Sequence, residues 1–189
     1  MNRKKILIVD DEPIIRMDLR EMMEEYGFDV VAEAKNGEEA VEMAFRHRPD
    51  LILLDVKMPV MNGIKAAGII RKFSDASIVL LTAYNDRKLV EEACAVHVTA
   101  YLVKPVTDAN LFPAIEVALS QREQIRGLKE EIHNMSRKLE ERKAVERAKG
   151  KIMSEYAFSE QEAYRWLQLE SMRRRIPMAE LAKRVLSGG

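Results

Sequence analysis

The stretch Leu51-Ile52-Leu53-Leu54-Asp55-Val56-Lys57-Met58-Pro59-Val60-Met61-Asn62-Gly63 decides the reading of the chain. Four successive apolar residues without alternation predict a strand covered on both faces, as in a parallel sheet. The run ends on a single carboxylate, Asp55, and breaks into a loop carrying Pro59 and Gly63. An acid where such a strand ends lies in the crevice where open α/β sheets bind ligands.

The pattern repeats outward from this stretch. An apolar run over Ile6–Val9 ends in Asp10, Asp11 and Glu12. Pro13 then suits the first turn of a helix whose stripe is Ile14, Ile15, Leu19, Met22, Met23 and Tyr26, closed by Gly27. Val30–Ala34 predicts a short strand, and Asn36-Gly37 opens a helix with Ala40, Val41, Ala44 and Phe45 inward. A helix from about Gly63 to Phe73 follows, with Ile64, Ala67, Ile69 and Ile70. Ile78–Thr82 and Ala100–Lys104 predict the fourth and fifth strands, with a helix between them near residues 86–96. Strands alternating with helices imply right-handed crossovers and a doubly wound, five-stranded parallel sheet of the α/β class.

Asp10, Asp11, Asp55, Thr82 and Lys104 all fall at the C-terminal ends of predicted strands. Asp-Asp by itself is as readily a solvated helix start, and Lys-Pro or a strand-terminal Thr is commonplace. Together, and each at a strand end, they have the parts that phosphoryl transfer needs. A carboxylate can be the nucleophile, and catalysis is otherwise positioning and charge neutralisation. Asp55 is therefore the expected phosphoacceptor. Grouped carboxylates repel unless a cation neutralises them. Magnesium takes one or two carboxylates and completes its shell with phosphate and water. Asp10, Asp11, Asp55 and the backbone carbonyl of Lys57 are the expected Mg2+ ligands. Lys104 and the Thr82 hydroxyl are placed to meet phosphoryl oxygens.

Residues about 4–120 resemble the receiver domain of two-component response regulators, on Asp10-Asp11-Glu12-Pro13, Asp55 through Gly63, Leu81-Thr82-Ala83-Tyr84 and Tyr101-Leu102-Val103-Lys104-Pro105. The resemblance implies a flavodoxin-like fold and phosphorylation of Asp55 by a sensor histidine kinase. It also implies a switch pair of Thr82 and Tyr101, the aromatic turning inward as Thr82 moves to the phosphate. A cis Lys104-Pro105 bond is implied too, with Lys57 and Tyr84 flanking the site. Val96-His97-Val98-Thr99 departs from the Gly-Ala type of turn usual before the fifth strand.

The charge balance is zero, with 31 basic and 31 acidic side chains. It hides a split: 15 basic against 19 acidic in residues 1–113, and 16 against 12 in residues 114–189. The front suits a cation and the back a polyanion. Cys94 is the sole cysteine, which excludes a disulfide framework and predicts a small buried apolar residue. No apolar run approaches membrane-spanning length, so a soluble, cytoplasmic protein without membrane contact is expected.

From Leu111 the period changes. With Leu111, Ala118, Ile125, Ile132 and Leu139 at a positions, the d positions are Ala114, Gln121, Leu128, Met135 and Arg142. Four heptads predict a two-stranded parallel coiled coil over 111–142, about 45 Å long. A helix folded back on the front domain is the alternative.

Residues 139–189 predict three short helices. The second opens on a capping box, Ser159 to Glu162, and carries Ala163, Trp166, Leu167, Leu169 and Met172; the third follows Pro177, with Leu181, Ala182 and Val185 inward. Ala148-Lys149-Gly150, Ile152-Met153, Glu162-Ala163-Tyr164, Ser171-Met172 and Leu181-Ala182 make this part similar to the ANTAR output domain of transcription antitermination regulators. The resemblance implies binding to RNA stem-loops in mRNA leaders. The basic residues Arg142, Lys143, Arg147, Lys149 and Lys151, the helical Gly150, and Arg174 are the candidate RNA contacts. Tyr156, Tyr164 and Trp166 could stack on bases, with core packing as the plainer reading.

The whole reads as receiver (1–120), coiled-coil connector (111–142) and three-helix RNA-binding domain (139–189). The expected protein is a regulator and not a metabolic enzyme. Phosphorylation of Asp55 would pair two chains through the coiled coil and cause antitermination. A DNA-binding transcriptional regulator is the runner-up, though no helix-turn-helix pattern is evident.

Overall fold

The computed structural model describes residues 3–83, 91–92, 95–96 and 98–187. Tyr84, Cys94, His97 and most of the helix expected near 86–96 lie outside the described residues. The chain divides into two compact units, Met1–Ile125 and Arg126–Gly189.

The first unit runs β1 (Lys5–Val9), α1 (Pro13–Glu25), β2 (Asp29–Ala34), α2 (Gly37–His47), β3 (Leu51–Asp55), α3 (Gly63–Ile70), β4 (Ser77–Thr82) and β5 (Ala100–Val103), and ends in the start of α4 (Asp108–Tyr156). The strands form one parallel sheet in the order β2-β1-β3-β4-β5. This order reverses direction between β1 and β3, which opens a crevice at their C-terminal ends.

Alternation explains the two layers. Leu7, Val9, Ile52, Leu54, Ile78 and Leu80 pack on the side of α2 and α3. Ile6, Ile8, Leu51, Leu53, Val79 and Leu81 pack with Leu19 and Met23 of α1 and Leu111, Ile115 and Ala118 of α4. The helices start where their caps allow: Pro13 at the head of α1, and the Asn36 and Asn62 side chains accepting from the backbone of Glu39 and Lys65.

Some expected stripe residues turn outward. Ile14 and Phe45 are exposed, and Phe45 meets Phe73 edge-on at 5.6 Å. The connector differs more. Leu111 and Ala118, two expected seam positions, are fully buried against the unit's own sheet. The Ser77 hydroxyl donates to the Ala118 carbonyl at 2.7 Å, and Arg122 pairs with Asp50 and donates to the Asp75 carbonyl. The exposed seam therefore begins at Ile125 and continues through Leu128, Ile132, Met135 and Leu139. The connector and the first helix of the tail are one helix, α4.

The second unit packs the end of α4 with α5 (Glu160–Arg174) and α6 (Met178–Ser187). Its buried apolar residues are Ala144, Ala148, Ile152, Ala163, Leu167, Leu181 and Ala182. Only three of these exceed alanine in size; at about 1.5–3 kcal/mol per large side chain, the core is thin. The Ser159–Glu162 capping box forms as expected. Leu169, Met172, Tyr156 and Tyr164 are exposed instead of adding to this core.

Candidate functional site

Parallel register brings the predicted residues to one edge of the sheet. Val9 lies opposite Leu54, Asp55 opposite Leu81, and Thr82 opposite Val103. Asp10, Asp55, Thr82 and Lys104 therefore sit at the same level on four neighbouring strands. Asp10, Asp55 and Thr82 are buried, whereas Asp11 and Lys57 are exposed on the rim.

One ammonium group joins the two buried acids. Lys104 Nζ lies 2.7 Å from Asp10 Oδ2 and 2.7 Å from Asp55 Oδ1. The other Asp10 oxygen accepts from the Glu12 amide at 3.0 Å. Burial pushes the Asp55 carboxyl above its ordinary value; hydrogen bonding to Lys104 opposes the rise, and the charges of Asp10 and Asp11 add to it. Burial pulls Lys104 down, but its hydrogen bonds to Asp10 and Asp55 outweigh that and leave its pKa raised.

The loop after β3 is built tightly around Asp55. A Cβ on Gly63 would fall on the Asp55 carbonyl, so only glycine allows this approach. Met61 donates to the Pro59 carbonyl across Val60, whose φ of 67° is unusual for a β-branched residue. The Lys104-Pro105 bond is cis. Tyr101 of the expected switch pair is exposed.

Other residues at the pocket carry no sequence signal, because their partners are tertiary. Arg16 donates to the Asp10 carbonyl at 2.8 Å and pairs with Glu33, which Arg20 also holds. Away from the pocket, at the N-terminal edge of the sheet, Thr99 of the divergent turn accepts from Arg71 and from the Ile78 amide, which gives that departure a local structural role.

The four expected Mg2+ ligands do not form a closed set here. Among the described residues no three acid, imidazole or thiol groups are gathered as a metal cage, and Lys104 is the cation that Asp10 and Asp55 share. The donor chemistry nevertheless fits a hard divalent ion: two buried carboxylates face one position, and the Asp11 charge is near enough to act on Asp55.

Residues 6–116 match the response regulator receiver domain, and residues 133–186 the ANTAR domain. The chain belongs to the response regulator family. This regulator is 46% identical to the transcriptional regulatory protein PdtaR of Mycobacterium tuberculosis strain H37Rv, over 97% of this chain and 89% of that one. Its receiver resembles the receiver domain of AraT from Geobacillus stearothermophilus, with 35% identity, a TM-score of 0.60, and coverage of 66% and 99% of the two chains. It is also similar to a CheX–CheY complex with beryllofluoride and magnesium from Borrelia burgdorferi, with 29% identity, a TM-score of 0.57, and coverage of 59% and 86%. The regulator is thus a two-component protein with an ANTAR output domain, and RNA binding with transcription antitermination fits that family. Its domains are those of a regulator. Among the described residues no helix is long and apolar enough to cross a membrane.

The candidate RNA residues of the regulator fall into two groups. Arg142, Arg147 and Gly150 are exposed, and a Cβ at Gly150 would meet nothing within 4 Å, so helix packing does not explain that glycine. Lys143 pairs with Glu140, Lys151 donates to the Val185 carbonyl, and Arg174 pairs with Glu170. Lys149 departs furthest from expectation. Its side chain is buried and bonded to Glu146 and Glu160, each at 2.8 Å, so it ties α4 to α5 and is not displayed to a ligand.

Proposed function

We propose that the regulator is switched by phosphorylation of Asp55 and grips stem-loop RNA as a pair of chains to cause antitermination in the cytoplasm. The observation that carries this is the shared Lys104 between Asp10 and Asp55 in a chain whose tail matches the ANTAR domain. A sensor histidine kinase is the donor. An Asp55 carboxylate oxygen forms the new P–O bond as the P–N bond of the phosphohistidine breaks, leaving the imidazole neutral once it gains a proton. Asp10, Asp11, Asp55 and the Lys57 carbonyl would hold Mg2+, which supplies charge neutralisation at the phosphoryl oxygens.

Lys104 then trades a carboxylate oxygen of Asp55 for a phosphoryl oxygen, and Thr82 donates to another. Tyr101, exposed in this state, turns inward as Thr82 moves. The equilibrium so shifted is pairing of the stripe Ile125, Leu128, Ile132, Met135 and Leu139, which is exposed along α4. Two tails carried together gain affinity for paired hairpins through effective concentration.

The phosphoacceptor is tested by treating the protein with acetyl phosphate and Mg2+ and mapping the acyl phosphate by mass spectrometry. Label on Asp55, absent from Asp55→Asn, is expected; equal labelling of Asp55→Asn rules the assignment out. Ile132→Asp should hold the beryllofluoride-treated protein monomeric in sedimentation, and dimers of that variant would refute the seam.

A further inference from the structure

Between the end of α4 and α6 runs an open groove of about 630 Å³, floored by Ala144 and Leu186. Four cations line it: Arg142, Lys143, Arg147 and Lys183. Two acids also reach it, Glu140 and Glu146. Each acid is already engaged, Glu140 by Lys143 at 2.9 Å and Glu146 by Lys149 at 2.8 Å. Among the described residues, Arg142, Arg147 and Lys183 take part in no ion pair.

Elsewhere in the tail many cations are spent on carboxylates: Arg173 and Arg174 on Glu170, and Arg184 on Glu180. A polyanion gains from cations that no neighbouring acid has neutralised, since each such contact releases counterions. Three uncompensated cations, from two helices, thus converge on one concavity, whereas Arg165 of α5 and Arg175 at its C-terminal end, which among the described residues take part in no ion pair either, lie outside it.

We propose that this groove is the track for the phosphate backbone of an RNA stem, held by Arg142, Arg147 and Lys183. Lys149 is a positioning residue that keeps Glu146 from opposing the RNA. The assignment rests on the reading that the ANTAR domain binds RNA. It adds Lys183 to the contacts and removes Lys149 and Arg174 from them. Arg142 also borders Met135 and Leu139 of the exposed stripe, so the track begins where the seam ends.

The test uses the full chain with beryllofluoride and Mg2+, and a labelled RNA hairpin recovered by crosslinking to the wild type. Affinity is read across a salt series. Arg147→Ala and Lys183→Ala should each weaken binding and lower the slope of log affinity against log salt by about one. Arg174→Ala should leave the slope unchanged. Lys149→Met should weaken binding in the wild-type background and have no effect once Glu146→Gln is present. If Lys149→Met does not fold, Glu146→Gln alone decides, and it should tighten binding by removing a negative charge from the rim.

Unchanged slopes for Arg147→Ala and Lys183→Ala, with wild type still binding, would overturn the groove and leave RNA binding standing. An equal fall for Arg174→Ala, or weaker binding by Glu146→Gln, would also overturn it. Equal competition by a DNA duplex would remove RNA as the occupant. A wild-type chain that captures no RNA would bring down both readings.

Discussion

Lys104 and Lys149 have nearly the same immediate geometry. Each ammonium group bridges two carboxylates, at 2.7 Å in the receiver and 2.8 Å in the tail. Their acids differ. Asp10 and Asp55 are 0% and 6% exposed, whereas Glu146 and Glu160 are 67% and 70% exposed. In the receiver, burial works against the charges, and the Asp55 carboxyl is raised. In the tail, the hydrogen bond from Lys149 lowers the Glu160 carboxyl with little burial to oppose it. The first cluster is held under electrostatic tension that a phosphoryl group and a divalent ion can relieve. The second is a clip already satisfied in water.

The largest expected effect follows from removing each lysine. Lys104→Met leaves two buried acids facing each other and should cost about 3–5 kcal/mol in urea unfolding. Millimolar Mg2+ should restore part of that, because it neutralises the same acids. Lys149→Met should lose much less and show no response to Mg2+. Equal losses, or equal Mg2+ responses, would show that the two clusters are not held differently.

Asp55→Asn sharpens it through pH. A carboxyl whose folded pKa is raised destabilises the fold while ionised, so the neutral variant should melt several degrees higher at neutral pH. Below the folded pKa the native wild type binds a proton that the unfolded chain lacks. The gap should therefore shrink as pH falls towards 3.8, the ordinary aspartate value, and vanish below it. Glu33 behaves oppositely. Burial works to raise its pKa, but hydrogen bonds from Arg20 and Arg16 outweigh that and lower it. Its stabilisation is present at neutral pH and lost as acid titrates through the lowered value. Glu33→Gln should accordingly destabilise at neutral pH, and a Tm above wild type there would refute the contrast.

A smaller effect is expected at Val60. Its φ of 67° places strain on the loop following Asp55, and Val60→Gly should stabilise by about 1 kcal/mol. A loss of stability would show that the exposed valine is not strained.

The receiver was legible because continuous apolar runs and their polar ends are local signals. Leu51–Asp55 and Ser77–Thr82 announce both a buried strand and the residue that closes it. Register then gathers those ends without further information. The tail was less legible because its decisive contacts join distant residues. Lys149 lies 11 positions from Glu160, and nothing in a basic run tells which cations are neutralised. The heptad pattern had a related blind spot: Leu111 and Ala118 share the phase of Ile125, yet the receiver's own sheet covers them. Periodicity gives the face of a helix and not what that face meets. Ile14 and Phe45 turned outward for the same reason.

On the proposed reading, charge relief at Asp55 governs the grip of the tails on RNA. The most direct measurement is the affinity of the full-length regulator for its crosslinked hairpin pair, with and without beryllofluoride, in wild type and Asp55→Asn. Tighter binding on adding beryllofluoride to the wild type, with no change in Asp55→Asn, is the predicted result. Equal affinity in all four conditions would contradict the account.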